Sequence, residues 1–301
     1  MFPLHEAPLP VPETETTEAH TGMHRRAFLS ALGLMGGALW AGRALAALPW
    51  SRPPGPVTPE DEAARFNNFY EFTSSKTDVW ELAGKLRVRP WAVEIAGLVP
   101  EPRTVDVDEL VRRFGREERT YRHRCVEGWS AVIPWEGFSL RKLVAWVQPL
   151  SSARYVTFTS FLNPEIAPGQ ARFPDWPWPY TEGLTLAEAV HELTLLATGA
   201  YGRPLPKSMG APIRLVVPWK YGYKSIKSIV RIAFTAHRPR TFWNTLAPHE
   251  YGFSSNVLPG KPHPRWSQAT EWRLGTGERL PTLPYNGYGP WVSRLYREGS
   301  P

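Results

Sequence analysis

Hydrophobic and polar positions alternate along Trp91-Ala92-Val93-Glu94-Ile95-Ala96-Gly97-Leu98-Val99, which predicts a strand. The same period of two recurs in Arg154-Tyr155-Val156-Thr157-Phe158-Thr159. Ile213–Val217 and Ser228–Phe234 read as further strands, so the later half of the chain is expected to be β-rich. Helix signals are short and local. Asp106 with Glu109 three residues on predicts a capping box for a helix through Phe114. Ser139 predicts the cap of a helix over Leu140–Val147. Thr185 with Glu188 predicts a second capping box, for a helix reaching about Glu192. The chain has 32 prolines, which keeps long helices scarce. No internal repeat is visible. The expected fold class is α+β: mixed sheets, short helices around them, and long loops that carry function.

The pattern changes at the N-terminus. His24-Arg25-Arg26-Ala27-Phe28-Leu29 sets twin arginines before an apolar run from Phe28 to Ala41. That run falls short of the roughly 20 apolar residues a spanning helix needs. Ala44-Leu45-Ala46 follows as an A-x-A cleavage pattern. The segment looks like a twin-arginine export signal, so residues 1–46 are expected to be a leader and the folded protein to work in the periplasm. Met23, directly before His24 and the arginines, is an alternative start. Residues 47–60 form a Pro-rich extended segment, and 61–301 are expected to make a single catalytic domain.

Composition removes several function classes. The net charge is +7, and the leader takes away three Arg and four Glu, leaving a basic mature chain. Its basic residues are scattered and accompany no nucleic-acid recognition motif, so no nucleic-acid partner is expected. One cysteine rules out an internal disulfide, a four-Cys zinc site and an iron–sulfur cluster. The eight histidines show no HExxH spacing, and there is no CxxCH. Electrons for any redox chemistry must therefore come from another protein.

The one cysteine is Cys125, in Tyr121-Arg122-His123-Arg124-Cys125-Val126-Glu127-Gly128-Trp129-Ser130. A lone thiol in an oxidising compartment is a liability unless burial or a metal masks it. Arg122, Arg124 and a protonated His123 are expected to favour its thiolate, the form that binds a metal. A buried, inert core cysteine and a nucleophilic cysteine stay open on the residues alone.

Longer stretches narrow this. Asn67-Asn68-Phe69-Tyr70-Glu71-Phe72, Arg124–Ser130, Gly210–Gly222, Lys224–Ile229 and His263–Glu271 together resemble the sulfite-oxidase-like molybdopterin family. Within that family they are most similar to the catalytic subunits of periplasmic protein-methionine-sulfoxide reductases, over nearly all of the mature chain. The resemblance implies one molybdenum–molybdopterin per chain, with Cys125 as the protein's sulfur ligand to the metal. It implies cofactor contacts at Asn67, Tyr70, Glu71, Ser160, Arg214, Ser225, Ile226 and Lys227. Ser160 falls where the family often has Thr. Met209 falls where it commonly has Asn, and a thioether cannot donate a hydrogen bond, so that contact is expected to be lost or taken over by backbone. Glu127 is expected near the metal, where it would influence proton supply.

The implied activity is reduction of methionine sulfoxide residues in oxidised periplasmic proteins by oxygen-atom transfer to molybdenum. A haem-containing membrane subunit would return the electrons to a monomeric catalytic subunit. Protein substrates require an open, shallow site, which Trp129 and Trp266 are candidates to line. The alternative on the same scaffold is a sulfite oxidase or a reductase of small S- or N-oxides. Sulfite needs an anion pocket, for which Arg122 and Arg124 are the candidates. A non-enzymatic exported binding protein is the third reading.

Overall fold

Side chains of alternating burial make strands, and strands joined by close pairing make the frame here. The computed structural model describes residues 55–296. The leader and residues 47–54 therefore lie outside the described residues. The strands are β1 (Ala92–Gly97), β2 (Arg103–Asp106), β3 (Glu117–Arg124), β4 (Trp129–Ser139), β5 (Tyr155–Ser160), β6 (Thr181–Thr185), β7 (Leu195–Ala200), β8 (Arg203–Pro204), β9 (Arg214–Val216), β10 (Ile229–Thr235), β11 (Thr270–Arg273) and β12 (Arg279–Pro281). They form two mixed sheets. One has the order β2-β1-β10-β5-β6, and β1 and β10 run parallel. The other runs β12-β11-β4-β7-β8, with β3 also on β4 and β9 also on β7. In it β11 and β4 run parallel, with Trp272 opposite Trp129. The expected strands at 91–99, 154–159, 213–217 and 228–234 are thus β1, β5, β9 and β10, and the fold is α+β.

Burial follows the pattern in the first sheet. Val93 and Ile95 of β1 are buried while Ala92 and Glu94 face out. In β5, Val156, Phe158 and Ser160 are buried. All six residues of β7 are buried, as expected of a strand covered on both faces. The helix Leu140–Val147 buries Leu140, Leu143, Val144 and Val147, the spacing of one helical face.

The caps differ in part from expectation. Asp106 accepts from the Asp108 N–H at 2.8 Å, but Glu109 turns to Arg113, at 3.8 Å, so a cap forms without the reciprocal box. Ser139 makes no capping bond, and the Leu140 N–H goes instead to the Thr194 carbonyl at 3.1 Å. At Thr185 the box is complete: Thr185 Oγ1 accepts from Glu188 N at 3.2 Å and Glu188 Oε2 from Thr185 N at 2.9 Å. That helix ends at Ala189, earlier than expected, where the Glu188 carbonyl accepts the Thr194 hydroxyl at 2.6 Å.

The second sheet holds a buried charge cluster that patterning does not announce. β3 reads Glu-Glu-Arg-Thr-Tyr-Arg-His-Arg, yet Arg119, Thr120, Tyr121, Arg122 and Arg124 are buried. Glu271 of β11 accounts for two of them. Its Oε1 lies 2.6 Å from Arg122 Nη2 and its Oε2 lies 3.0 Å from Arg124 Nε. Asn286 accepts Arg122 Nε, and Gln268 and Thr282 accept Arg124 Nη2. Removing one member of such a cluster strands buried charge. Glu271→Gln should lower the unfolding free energy by about 3–5 kcal/mol. Arg89→Gln, which opens the exposed pair with Asp108, should cost less than about 1 kcal/mol. Urea unfolding followed by tryptophan fluorescence reads both, and equal losses would show that burial does not give Glu271 its weight.

Candidate active site

A cleft of about 860 Å³, open to solvent, lies where the 66–71 loop, the end of β3, the turn before β4 and the 209–227 segment converge. Ten of the eleven residues expected at the site line it: Asn67, Tyr70, Glu71, Cys125, Glu127, Met209, Arg214, Ser225, Ile226 and Lys227. Ser160 does not. It is buried behind the wall, with its hydroxyl beside the Glu71 carboxyl. Trp129 lines the cleft, whereas Trp266 packs outside it and donates to the Val126 carbonyl at 2.8 Å.

Cys125 closes one end. A tight turn carries it: Gly128 N donates to the Cys125 carbonyl at 3.1 Å and Cys125 N to the Trp129 carbonyl at 2.8 Å. Cys125 Sγ lies 3.6 Å from Asn68 Oδ1 and receives the Glu127 N–H at 3.5 Å. The expectation that its neighbours favour the thiolate is overturned. Burial, and then the Glu127 carboxylate, push the thiol up to about 12. Arg122 and Arg124 pair with Glu271, and the pull of Arg124 and Lys76 toward the thiolate is outweighed. His123 is held neutral, its pKa lowered to about 3 by burial and then by Arg214, Lys227 and Arg124. A metal at this sulfur would have to displace the thiol proton itself, as metal binding to cysteine generally does.

Around the sulfur the groups are polar and aromatic. Glu127 pairs with Lys76 at 2.6 Å, accepts the Tyr70 hydroxyl at 3.2 Å, and accepts Asn68 Nδ2 at 3.3 Å. Burial, then the Glu127 charge, raise the Tyr70 phenol well above its ordinary range, so it stays a donor. Trp243 meets Tyr70 edge to face at 4.9 Å and Tyr251 at 5.1 Å. Asn67 acts on the backbone instead. Its amide donates to the Ala63 and Ala64 carbonyls and ties down the end of the helix Glu60–Arg65.

The opposite end is cationic. Arg214 stacks on Trp135 with 4.8 Å to the ring centroid and donates to the carbonyls of Met209, at 2.8 Å, and Ser225, at 3.0 Å. Met209 thus serves through its backbone. The Ser225 hydroxyl is used internally, accepting Val217 N at 3.1 Å. Lys227 Nζ donates to the Asn68 carbonyl at 2.7 Å. Two glycines make the close approaches possible. A Cβ on Gly210, at φ +104°, would meet Lys227 Cγ at 2.7 Å, and one on Gly222 would meet His123 Cε1 at 2.4 Å.

His123 was expected only as a cation beside the thiol, and Asn68, Lys76, Trp135 and Trp243 were not singled out by sequence. Two carried a signal. Asn68 stands beside Asn67 in the same stretch. His123 alternates with Arg122 and Arg124 along β3, so with the arginines on Glu271 it faces the other way, into the cleft. Lys76, which follows the 66–71 loop, and Trp243, on the helix Phe242–Leu246, carried none.

Arg214 is buried and Lys227 half-buried, and among the described residues neither forms an ion pair with a carboxylate. Burial lowers Arg214 to about 9, and burial together with Arg214 lowers Lys227 to about 7. Burial raises Glu71 to about 7. Uncompensated buried cations ask for an anion, and Arg with Lys is a donor set suited to phosphate. The two shifts have opposite signs in stability. Glu71 has a raised folded pKa, so its contribution is full below about 4.5 and is lost as pH rises through about 7. Lys227 has a depressed one, so its contribution is full above about 10.5 and is lost as pH falls through about 7. Together they place a dip in the stability of cofactor-free protein near neutral pH. Lys227→Met should remove the rise on the alkaline side and Glu71→Gln the fall on the acid side. Inorganic phosphate should stabilise the wild type, and Lys227→Met less. Urea titrations from pH 5 to 10 check this, and a profile unchanged by both substitutions would contradict it.

Known proteins share features of this chain. The solved crystal structure of the sulfane dehydrogenase SoxCD from Paracoccus pantotrophus is similar at a TM-score of 0.48 and 16% identity, covering 77% of this chain and 66% of that chain. The chain thus spans about two thirds of that relative's length. The sequence matches the family described as oxidoreductase molybdopterin binding domain over residues 81–243, more than half of the chain. Residues of the cleft fit such a group, with a buried thiol at one end and unpaired cations for a phosphate at the other. The chain belongs to the molybdopterin-binding oxidoreductases.

Proposed function

We propose that this protein reduces methionine sulfoxide residues in other proteins, using molybdenum–molybdopterin held in the cleft. Cys125 would hold the metal, and Arg214 and Lys227 the phosphate. Asn67, Tyr70, Glu71, Met209, Ser225 and Ile226 would surround the pterin, with Ser160 supporting Glu71 from behind. Such a cofactor supplies two-electron oxygen-atom transfer, and the protein supplies ligand, access and protons. The reaction converts a sulfoxide, two electrons and two protons into a thioether and water.

One observation carries the choice of substrate. Arg122 and Arg124, the candidates for a sulfite pocket, are bound to Glu271 and lie outside the cleft lining. Beside Cys125 stand instead a phenol, an amide and an indole. A sulfoxide is neutral, accepts hydrogen bonds at oxygen and carries apolar groups on sulfur that pack well on aromatic rings. The Tyr70 hydroxyl, which donates to Glu127 in the free cleft, would turn to donate to its oxygen. Glu127 and Lys76 have side chains 28% and 21% exposed, so they connect Tyr70 to solvent as a proton supply. The open mouth of the cleft suits a substrate side chain presented on a protein.

The same reading assigns residues 1–46 to a twin-arginine leader, 47–60 to an extended segment and 61–301 to one catalytic domain in the periplasm. Electrons would come from a haem-bearing membrane subunit. Substituting Lys for both Arg25 and Arg26 should leave the protein in the cytoplasmic fraction. Sulfite oxidation, or turnover of small S- or N-oxides alone, is the alternative.

Holoenzyme reduced with a viologen dye should convert oxidised protein substrates and not oxidise sulfite. Glu127→Gln should lower kcat by about 10²-fold with KM nearly unchanged. Cys125→Ser should abolish turnover and alter the Mo(V) electron paramagnetic resonance signal. Turnover of sulfite alone would overturn the assignment, and a Mo(V) signal unchanged in Cys125→Ser would remove the ligand.

A further inference from the structure

His263–Glu271 is the one stretch of the family resemblance that contributes no side chain to the cleft. Its side chains nevertheless converge on the cysteine turn from behind. Trp266 Nε1 and Gln268 Nε2 both donate to the Val126 carbonyl, at 2.8 Å and 2.7 Å. Gln268 Oε1 accepts Arg124 Nη2 at 2.9 Å, which fixes which way the amide faces. Arg124 Nη1 in turn donates to the Cys125 carbonyl. His263 stacks on Trp266 at 3.8 Å, and Arg265 pairs with Glu250 at 2.6 Å, bracing the indole from the outer side.

The consequence lies in one peptide plane. In a trans peptide the C=O and the following N–H point in opposite directions. Two donors on the Val126 oxygen therefore aim the Glu127 N–H the other way, and that N–H is the one that meets Cys125 Sγ at 3.5 Å. A hydrogen bond to a ligating sulfur draws electron density from it and shifts the potential of the metal it holds.

We infer that Trp266 and Gln268 are positioning residues that tune the molybdenum centre by orienting the Val126–Glu127 peptide so that its N–H bonds the Cys125 sulfur. This rests on Cys125 being the metal ligand. Neither residue touches the cleft, so their action runs through the backbone alone.

The test uses holoenzyme of the full mature chain. Trp266→Phe keeps the ring and loses the N–H; Gln268→Met keeps the length and loses both amide groups. Arg89→Gln is the control, since its exposed pair with Asp108 lies apart from the cysteine turn. Three quantities are read: molybdenum content, the sulfur-to-metal charge-transfer band, and the Mo(VI)/Mo(V) equilibrium against a redox mediator. In each positioning variant the mediator equilibrium should move toward oxidised metal by about threefold, the size of one weakened hydrogen bond. The charge-transfer band should move with it, and the double variant should move further. Arg89→Gln should match wild type. Loaded variants with wild-type band and potential would overturn the inference. A charge-transfer band and molybdenum content unchanged in Cys125→Ser would instead overturn the ligand assignment beneath it, so the two failures are distinguishable. If one variant loads poorly, the other carries the measurement, since each removes a separate donor.

Discussion

Glu271 is the point on which this site depends. Its two carboxylate oxygens bind Arg122 and Arg124, which draws two guanidinium groups of β3 to the far side of the strand. Three results follow from that one contact. β3 can be buried despite its charge. His123, on the opposite face, is left to wall the cleft. Arg124, held in place, reaches the Cys125 carbonyl and Gln268 and so helps set the turn that presents the thiol. A buried ion pair of this kind is weak evidence for net stability, because desolvation offsets much of the attraction. Its value here is geometric: it decides which charges the cleft sees.

The electrostatics of the cleft are divided accordingly. Near Cys125 each charge has a partner, Glu127 with Lys76 and the arginines with Glu271. At the other end Arg214 and Lys227 rest on backbone carbonyls and an indole. Carbonyl dipoles and a ring face soften the burial of a cation without neutralising it, and the depressed pKa values of both groups register what is left over. Among the described residues the wall thus carries two cations without a carboxylate pair, a place where an anion would be stabilised.

The first sheet was easier to read in the sequence than the second. β1 and β5 alternate because one face packs on the core and the other does not, and the Thr185–Glu188 box is a purely local device. β3 and β4 escaped because their period is masked. Charged residues occupy the buried positions of β3, and their partners Glu271 and Asn286 lie about 150 residues away. The site residues were legible through long matching stretches, not through charge. Charge alone misled, since Arg122 and Arg124 stand next to Cys125 in sequence yet act on Glu271. Ser160 was placed at the cofactor, while the fold puts Glu71 between it and the cleft.

That misreading has a physical lesson for the chemistry. Adjacency along a strand places side chains on opposite faces, so a neighbour in sequence is a poor guide to the field at a sulfur atom. What Cys125 senses directly is one backbone N–H, one asparagine and a carboxylate already tied to a lysine. Arg122 and Arg124 are held by Glu271 and Lys76 by Glu127, while Arg214 and Lys227 pair with no carboxylate among the described residues. On the reading proposed above, a phosphate-bearing cofactor would be drawn to Arg214 and Lys227 and would leave the thiol to the metal. The same pairing would leave the surroundings of the sulfur suited to a neutral, hydrogen-bond-accepting substrate.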